Sequence, residues 1–258
     1  MQVNRTPPAR RRRGSMTALG CIATAAGCVL VTGLALVGSV LLFRDELMTL
    51  GLQQVGFETA GQTEAVFAEP TPNIAPIPTV TNATAPQTFT LREATTGNTQ
   101  AFQNNAGVDV AVGSSTEGDV ATVTTNEAEL VALCHEYSTV CSPEGITESG
   151  YTIRNATVDL RPGGAIVSAS VTGEGIPFAQ SVGVVLTLNE SGDSVDIRGV
   201  DINGQLLSAP PPEFQPLLDS AQAELDAMLA AGVIEIAGET YRLDRITIDE
   251  TSITALLK

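Results

Sequence analysis

Residues 15–43 form a run of 29 residues without a charged side chain, and no other feature constrains the chain as much. Apolarity rises through its second half, from Cys28 to Phe43. About 20 residues span the hydrocarbon core of a bilayer, so the run is long enough to cross with tilt to spare. Gly20, Gly27, Gly33 and Gly38 would weaken a helix in water but are ordinary in lipid, where backbone pairing is enforced. Arg10, Arg11, Arg12 and Arg13 abut the start of the run, which by the positive-inside rule leaves the N-terminus in the cytoplasm and everything after Arg44 outside. The expectation is a single-pass signal anchor in a cell membrane. A cleaved signal peptide and lipoprotein processing at Cys28 stay open as alternatives, although Leu41, Leu42 and Phe43 followed by Arg44 make a poor cleavage site.

Charge divides the chain at the same place. Five of the 13 basic residues precede the apolar run, so 8 are left against all 29 acidic residues beyond it, a net charge of about −21. Such a surface repels nucleic acid and anionic headgroups, which excludes a nucleic-acid partner. Cys21 and Cys28 fall inside the apolar run and act there as small apolar residues. Cys134 and Cys141 form one even pair outside it, and a disulfide between them would add roughly 2.5 kcal/mol by loop closure; two free buried thiols are the other reading.

The segmentation that follows is a basic tail over residues 1–14, the anchor over 15–43, a juxtamembrane segment over 44–68, a Pro-rich linker over 69–88 and a folded domain over 89–258. Pro70, Pro72, Pro76, Pro78 and Pro86 exclude helix from the linker and favour an extended stalk. Beyond Phe89 the strand period dominates. Val108, Val110 and Val112 alternate, as do Val182, Val184, Leu186 and Leu188. Arg161, Pro162, Gly163 and Gly164 supply a hairpin turn between two strands. Alternation changes parity at Gly199 and again between Leu243 and Ile246, each change marking a bulge.

Two helices interrupt the strands. Thr124 with Glu127 reads as a capping box opening a helix through about Glu136. Phe214, Leu217, Leu218, Ala221, Leu225, Met228 and Leu229 fall at helical spacing and Gly232 ends the second, longer helix. One long helix with one apolar stripe must lie against one sheet face. The expected fold class is therefore α+β: a transmembrane helix, then a curved antiparallel sheet packed on one long C-terminal helix.

Catalytic motifs are missing. His135 is the sole histidine, and no Gly-x-Ser-x-Gly turn accompanies it. With Cys134 and Cys141 it makes three zinc ligands, one short of a closed site. Residues 189–196 lack the ligand order of a calcium loop. The sequons at Asn82, Asn155 and Asn189 are ambiguous without knowledge of the host. Neither a cofactor nor a metal is implied, and the expectation is a protein without catalysis.

Residues 122–258 resemble exported, membrane-anchored bacterial proteins of the YpmS and LmeA-like kind, related to tubular lipid-binding domains. The resemblance is carried by the stretch from Thr124 to Leu130, the hairpin from Ile153 to Gly164, the strand from Val195 to Gly204, and the Pro-bounded helix leading to Tyr241 and Ile248. It implies a curved sheet around a long helix and an apolar groove for lipid. The groove candidates are Val182, Val184, Leu186, Leu188, Val195, Ile197, Phe214, Leu218, Leu225 and Met228. The functional expectation is a membrane-anchored, extracytoplasmic module that handles a lipid or acyl chain; the alternative is a surface module that binds another envelope protein.

Overall fold

The computed structural model describes residues 58–68, 73–92, 99–104, 107–137, 141–148, 150–173, 178–209, 215–231, 233–236 and 238–258. These residues form two antiparallel sheets with three helices. Hairpins with a two- to six-residue return build the first sheet almost in chain order. Its strands are β7 (Ile146–Glu148), β8 (Tyr151–Arg161), β9 (Gly164–Gly173), β10 (Gln180–Leu188), β11 (Val195–Ile202) and β12 (Gln205–Ala209), with β1 (Glu58–Gln62) added beside β12. The second sheet runs in the order β2 (Thr81–Thr84), β5 (Asp109–Ser115), β6 (Gly118–Asn126), β15 (Ser252–Leu257), β14 (Glu239–Ile248), β13 (Val233–Ile236), β3 (Thr88–Arg92) and β4 (Thr99–Gln103). Strands from both ends of the described chain therefore meet at its centre, where β15 lies between β6 and β14.

The second sheet cannot be flat. β4 stands at one edge and β5 next to the other, six strand spacings away, or about 29 Å across a flat sheet. Residues 104–108 alone join them, and the six steps from Gln103 to Asp109 reach about 21 Å fully extended. The sheet must curl until its two edges approach.

The helices are α1 (Glu64–Phe67), α2 (Glu127–Tyr137) and α3 (Gln215–Ala231). Helix α2 packs on β8 and β6, and α3 on β11 and β14, so each touches one strand from each sheet. The expected α+β class is thus corrected to a mainly β protein. Its longer helix is followed by three strands instead of closing the chain, and it packs on a strand of each sheet, β11 and β14, instead of filling one curved face. The expectation failed because β1, β2 and β4 are short, mostly polar and carry no hydrophobic alternation to detect, while β3 alternates only Phe89 and Leu91.

Residues 15–43 lie outside the described residues. Among the described residues no helix is long and apolar enough to cross a membrane. Helix α3, the longest at 17 residues, spans only about 26 Å at 1.5 Å per residue and carries Asp219 and Asp226. The expected single-pass anchor is corrected accordingly: no described helix supports it, nor the cytoplasmic and extracytoplasmic placement built on it.

The core joins both sheets. Val123, Leu160, Val171, Val184, Leu225 and Leu257 belong to one buried cluster. Residues 73–88 are part of this body: Ile74 packs on the cluster, the Arg245 side chain donates to the Pro76 carbonyl at 3.3 Å, and β2 pairs with β5. Close approach there requires Gly113, where a Cβ would lie 2.7 Å from the Thr81 carbonyl oxygen. The parity change at Gly199 is a bulge opposite Val185 and Leu186, with a φ of +151° and room for no side chain against the Leu207 carbonyl.

Candidate interaction surface

Unpaired strand edges are where a β protein can accept another chain, so the treatment of each edge locates the available surface. Three side chains finish edges that have no strand beside them. Gln222 of α3 accepts from the Ile197 N–H at 2.8 Å and donates to the Val195 carbonyl at 2.8 Å, standing in for a neighbouring strand along the start of β11. Glu127 of α2 accepts from the Leu160 N–H at 2.6 Å on β8. Asn104 makes two bonds to Val110 of β5, each 2.7 Å, one donated and one accepted.

Glu127 therefore does not cap its own helix. Asn126 and Glu129 form the reciprocal capping pair, at 3.0 and 3.1 Å, two residues beyond the expected box. Thr124 and Thr125 remain in β6, bonded to Thr254 and to the Gly107 carbonyl, and cannot serve as caps.

The Asn104 bridge marks the seam of the curled sheet. Beside it lies an open cleft of about 390 Å³ lined by Ala85, Pro86, Gln87, Thr88, Gln103 and Asn104. The chain leaving β2 and the end of β4 form its two sides. Phe102 and Val108 meet Leu133 of α2 beneath the seam, and Phe102 stacks on Phe89 with ring centroids 5.6 Å apart. No charged side chain lines the cleft.

Charge is concentrated elsewhere. Arg245 donates to Glu117 at 2.6 Å and to Asp244 at 3.0 Å, and Lys258 contacts the same two carboxylates at 2.6 and 3.1 Å. The hydrogen bonds from Arg245 and then Lys258 hold the Glu117 carboxyl at about 2. This network ties the β5–β6 turn to β14 and to the end of β15. A second group surrounds Arg161, which pairs with Glu64 and Asp159. Burial raises the Asp159 carboxyl, and the Arg161 charge opposes that rise. Asp201 is buried, and accepts from the Thr63 hydroxyl and from the Gly204 N–H, fastening α1 to the β11–β12 turn.

The groove candidates sit inside the protein. Val182, Val184, Leu186, Leu188, Val195 and Leu225 are each 9% exposed or less and belong to the shared core; Ile197 packs on it and Leu218 is half-buried. Phe214 lies outside the described residues, as does the Met228 side chain. The lipid-binding assignment that depended on open space along these residues lacks support. Cys134 and Cys141 are joined, with Cα atoms 5.8 Å apart and both side chains buried. His135 beside them is exposed. Asn189 and Ser191 both donate to Asp193 and lower its carboxyl, so the turn is closed by its own bonds. Among the described residues no three His, Cys, Asp or Glu side chains are grouped to hold a metal.

The edge-finishing residues Gln222, Glu127 and Asn104 were missed from sequence because nothing local distinguishes them from surface polar residues. The one available signal was Gln222, which shares the buried side of α3 with Ala221, Leu225 and Leu229. No family model, no curated protein and no solved structure matches this chain.

Proposed function

We propose that the described domain is a non-catalytic module that binds another protein. The observation that carries this reading is the filled core: Val184, Leu186, Leu188 and Leu225, which would line the space in a lipid carrier, are 1–5% exposed and packed with residues of both sheets. A protein whose interior is occupied must bind at its surface, and an uncharged cleft beside unpaired strand edges is the surface best suited to it. The resemblance to YpmS and LmeA-like proteins supplies the competing reading, a lipid handler, which needs room for a chain worth about 0.8 kcal/mol per buried methylene.

Native mass spectrometry of the full chain, purified with fatty acids and phospholipids present, separates the two. The expected result is lipid-free protein, together with a saturable complex of fixed stoichiometry when a purified protein partner is titrated in calorimetry. A stoichiometric acyl-chain adduct that survives desalting overturns the interaction reading.

A further inference from the structure

The four edges of the two sheets are not equivalent. β7 is three residues long. β1 is interrupted by two register shifts against β12. β2 is irregular, with Asn82 at a φ of +53° and prolines at 76, 78 and 86 around it. Short length, bulges and proline are the usual means of keeping an edge from pairing. β4 has none of them. It pairs with β3 in unbroken register from Thr88–Gln103 to Arg92–Thr99, and its sequence, Thr, Gln, Ala, Phe, Gln, contains no charge and no proline.

The direction of its free groups follows from the ladder. The Asn104 N–H donates to the Gln87 carbonyl at 3.0 Å, so Gln87 and Asn104 are a hydrogen-bonded pair. Bonded and non-bonded pairs alternate in an antiparallel ladder. The pairs of Phe89 with Phe102 and Leu91 with Gln100 are then bonded, while Thr99, Ala101 and Gln103 turn their N–H and C=O groups away from β3. Among the described residues no strand receives them. Ala101 and Gln103 are exposed, and Gln103 is also a wall of the cleft at the seam.

We propose that the free edge of β4 is a strand-addition site, at which an extended segment of another protein pairs with Thr99, Ala101 and Gln103 and runs on into the cleft beside Asn104. This rests on the interaction reading above and specifies its mode. Backbone pairing supplies the affinity, and the cleft selects an uncharged residue at the end of the segment. The flanks of the segment are basic. The described residues contain 23 acidic and 7 basic side chains, and that field draws in cationic chains while repelling acidic ones and a second copy of this protein.

The test uses the full chain and a fluorescein-labelled peptide of alternating threonine and valine with two lysines at each end. Anisotropy is expected to rise saturably and to weaken with salt, and amide exchange is expected to slow at Ala101 and Gln103. The same peptide N-methylated at alternate backbone nitrogens binds at least tenfold more weakly. Ala101→Pro removes an outward N–H without touching a bond to β3, so it too costs at least tenfold while leaving the melting temperature near that of the parent; Gln103→Lys, which adds a charge to the edge, serves where the proline variant fails to fold. Unchanged binding by both variants, protection of β1, β2 or β7 in place of β4, or no binding of the peptide overturns strand addition. A protein partner that still binds Ala101→Pro with full affinity refutes this site alone and leaves the interaction reading standing.

Discussion

The two sheets are made of the same kind of strand but are put together differently. In the seven-stranded sheet β7 to β12 follow one another, so each strand finds its neighbour through a short turn. The eight-stranded sheet gathers β2 to β6 and β13 to β15 from opposite ends of the described chain, and its central pairing, Leu257 with Ala121 through Ser252 with Asn126, closes a very long loop. Local pairing costs little loop entropy before contacts repay it, whereas distant pairing costs more and is made later. The difference explains where polar devices accumulate. The locally built sheet uses them where helices meet its strands, at Gln222 and Glu127 and where Arg161 and Asp201 hold Glu64 and Thr63 beside α1. The distantly built one uses the Glu117, Asp244, Arg245 and Lys258 network to fasten β14 and β15 to the β5–β6 turn, and Asn104 to hold its seam.

The largest test of that comparison removes one core side chain from each sheet. Leu160 of β8 and Leu257 of β15 are 1% and 3% exposed and share the same cluster. Replacing either by alanine is expected to cost about 2–5 kcal/mol at equilibrium, the range for a buried leucine. Their kinetics should diverge: Leu160→Ala slows refolding because β8 and β9 pair early, and Leu257→Ala chiefly speeds unfolding because β15 docks late. Stopped-flow refolding and unfolding across a denaturant series checks this. Equal partition of both losses between the two limbs would remove the claimed order of assembly.

The same contrast decides how much could be read from sequence. The hairpin at residues 161–164, the alternation of Val182, Val184, Leu186 and Leu188, and the bulge at Gly199 are encoded locally in the first sheet, and each is legible because period two and turn chemistry act over a few residues. The second sheet is not local. Its β2 is an exposed polar strand whose partner β5 comes only after β3 and β4, and β3 pairs with β13 about 140 residues on, so residues 73–88 resemble a proline stalk until β5 is seen beside β2. That a helix covers residues 215–231 was legible from the spacing of Ala221, Leu225 and Leu229; that it neither closes the chain nor carries the whole sheet was not, because an apolar stripe says that a face is covered and not by what. The candidate site was illegible for the same reason: Gln103 and Asn104 matter through a seam that exists only once the sheet has curled.

A smaller effect distinguishes the two kinds of edge. Gln222→Ala leaves the Ile197 N–H and the Val195 carbonyl without their partner, and Asn104→Ala does the same to both backbone groups of Val110. Each loss is expected to cost about 1–3 kcal/mol by chemical denaturation. Asn104→Ala should in addition raise hydrogen exchange at the seam, along β4 and the start of β5, whereas Gln222→Ala should loosen only α3 and β11. Asn104→Asp tests the geometry more finely, since it keeps the acceptor for the Val110 N–H and loses the donor to the Val110 carbonyl, so its cost should fall between those of the parent and of alanine.

The smallest expected effect is electrostatic and belongs to the distantly built sheet alone. Glu117 has its carboxyl held at about 2 in the folded protein against an ordinary 4.5, by hydrogen bonds from Arg245 and Lys258. A depressed carboxylate favours the fold at pH values above its unfolded value, and that contribution is lost as pH falls from about 4.5 toward 2. Lowering the pH through this window should therefore reduce the melting temperature of the parent more than that of Glu117→Gln, which has no such proton to take up. Exchange measured at pH 3 should show β5, β6, β14 and β15 opening before β8 to β11. Protection lost first in the seven-stranded sheet would mean that the charge network is not what fastens the second sheet, because the ion pairs of Glu117, Asp244, Arg245 and Lys258 run between the β5–β6 turn, β14 and the residue after β15.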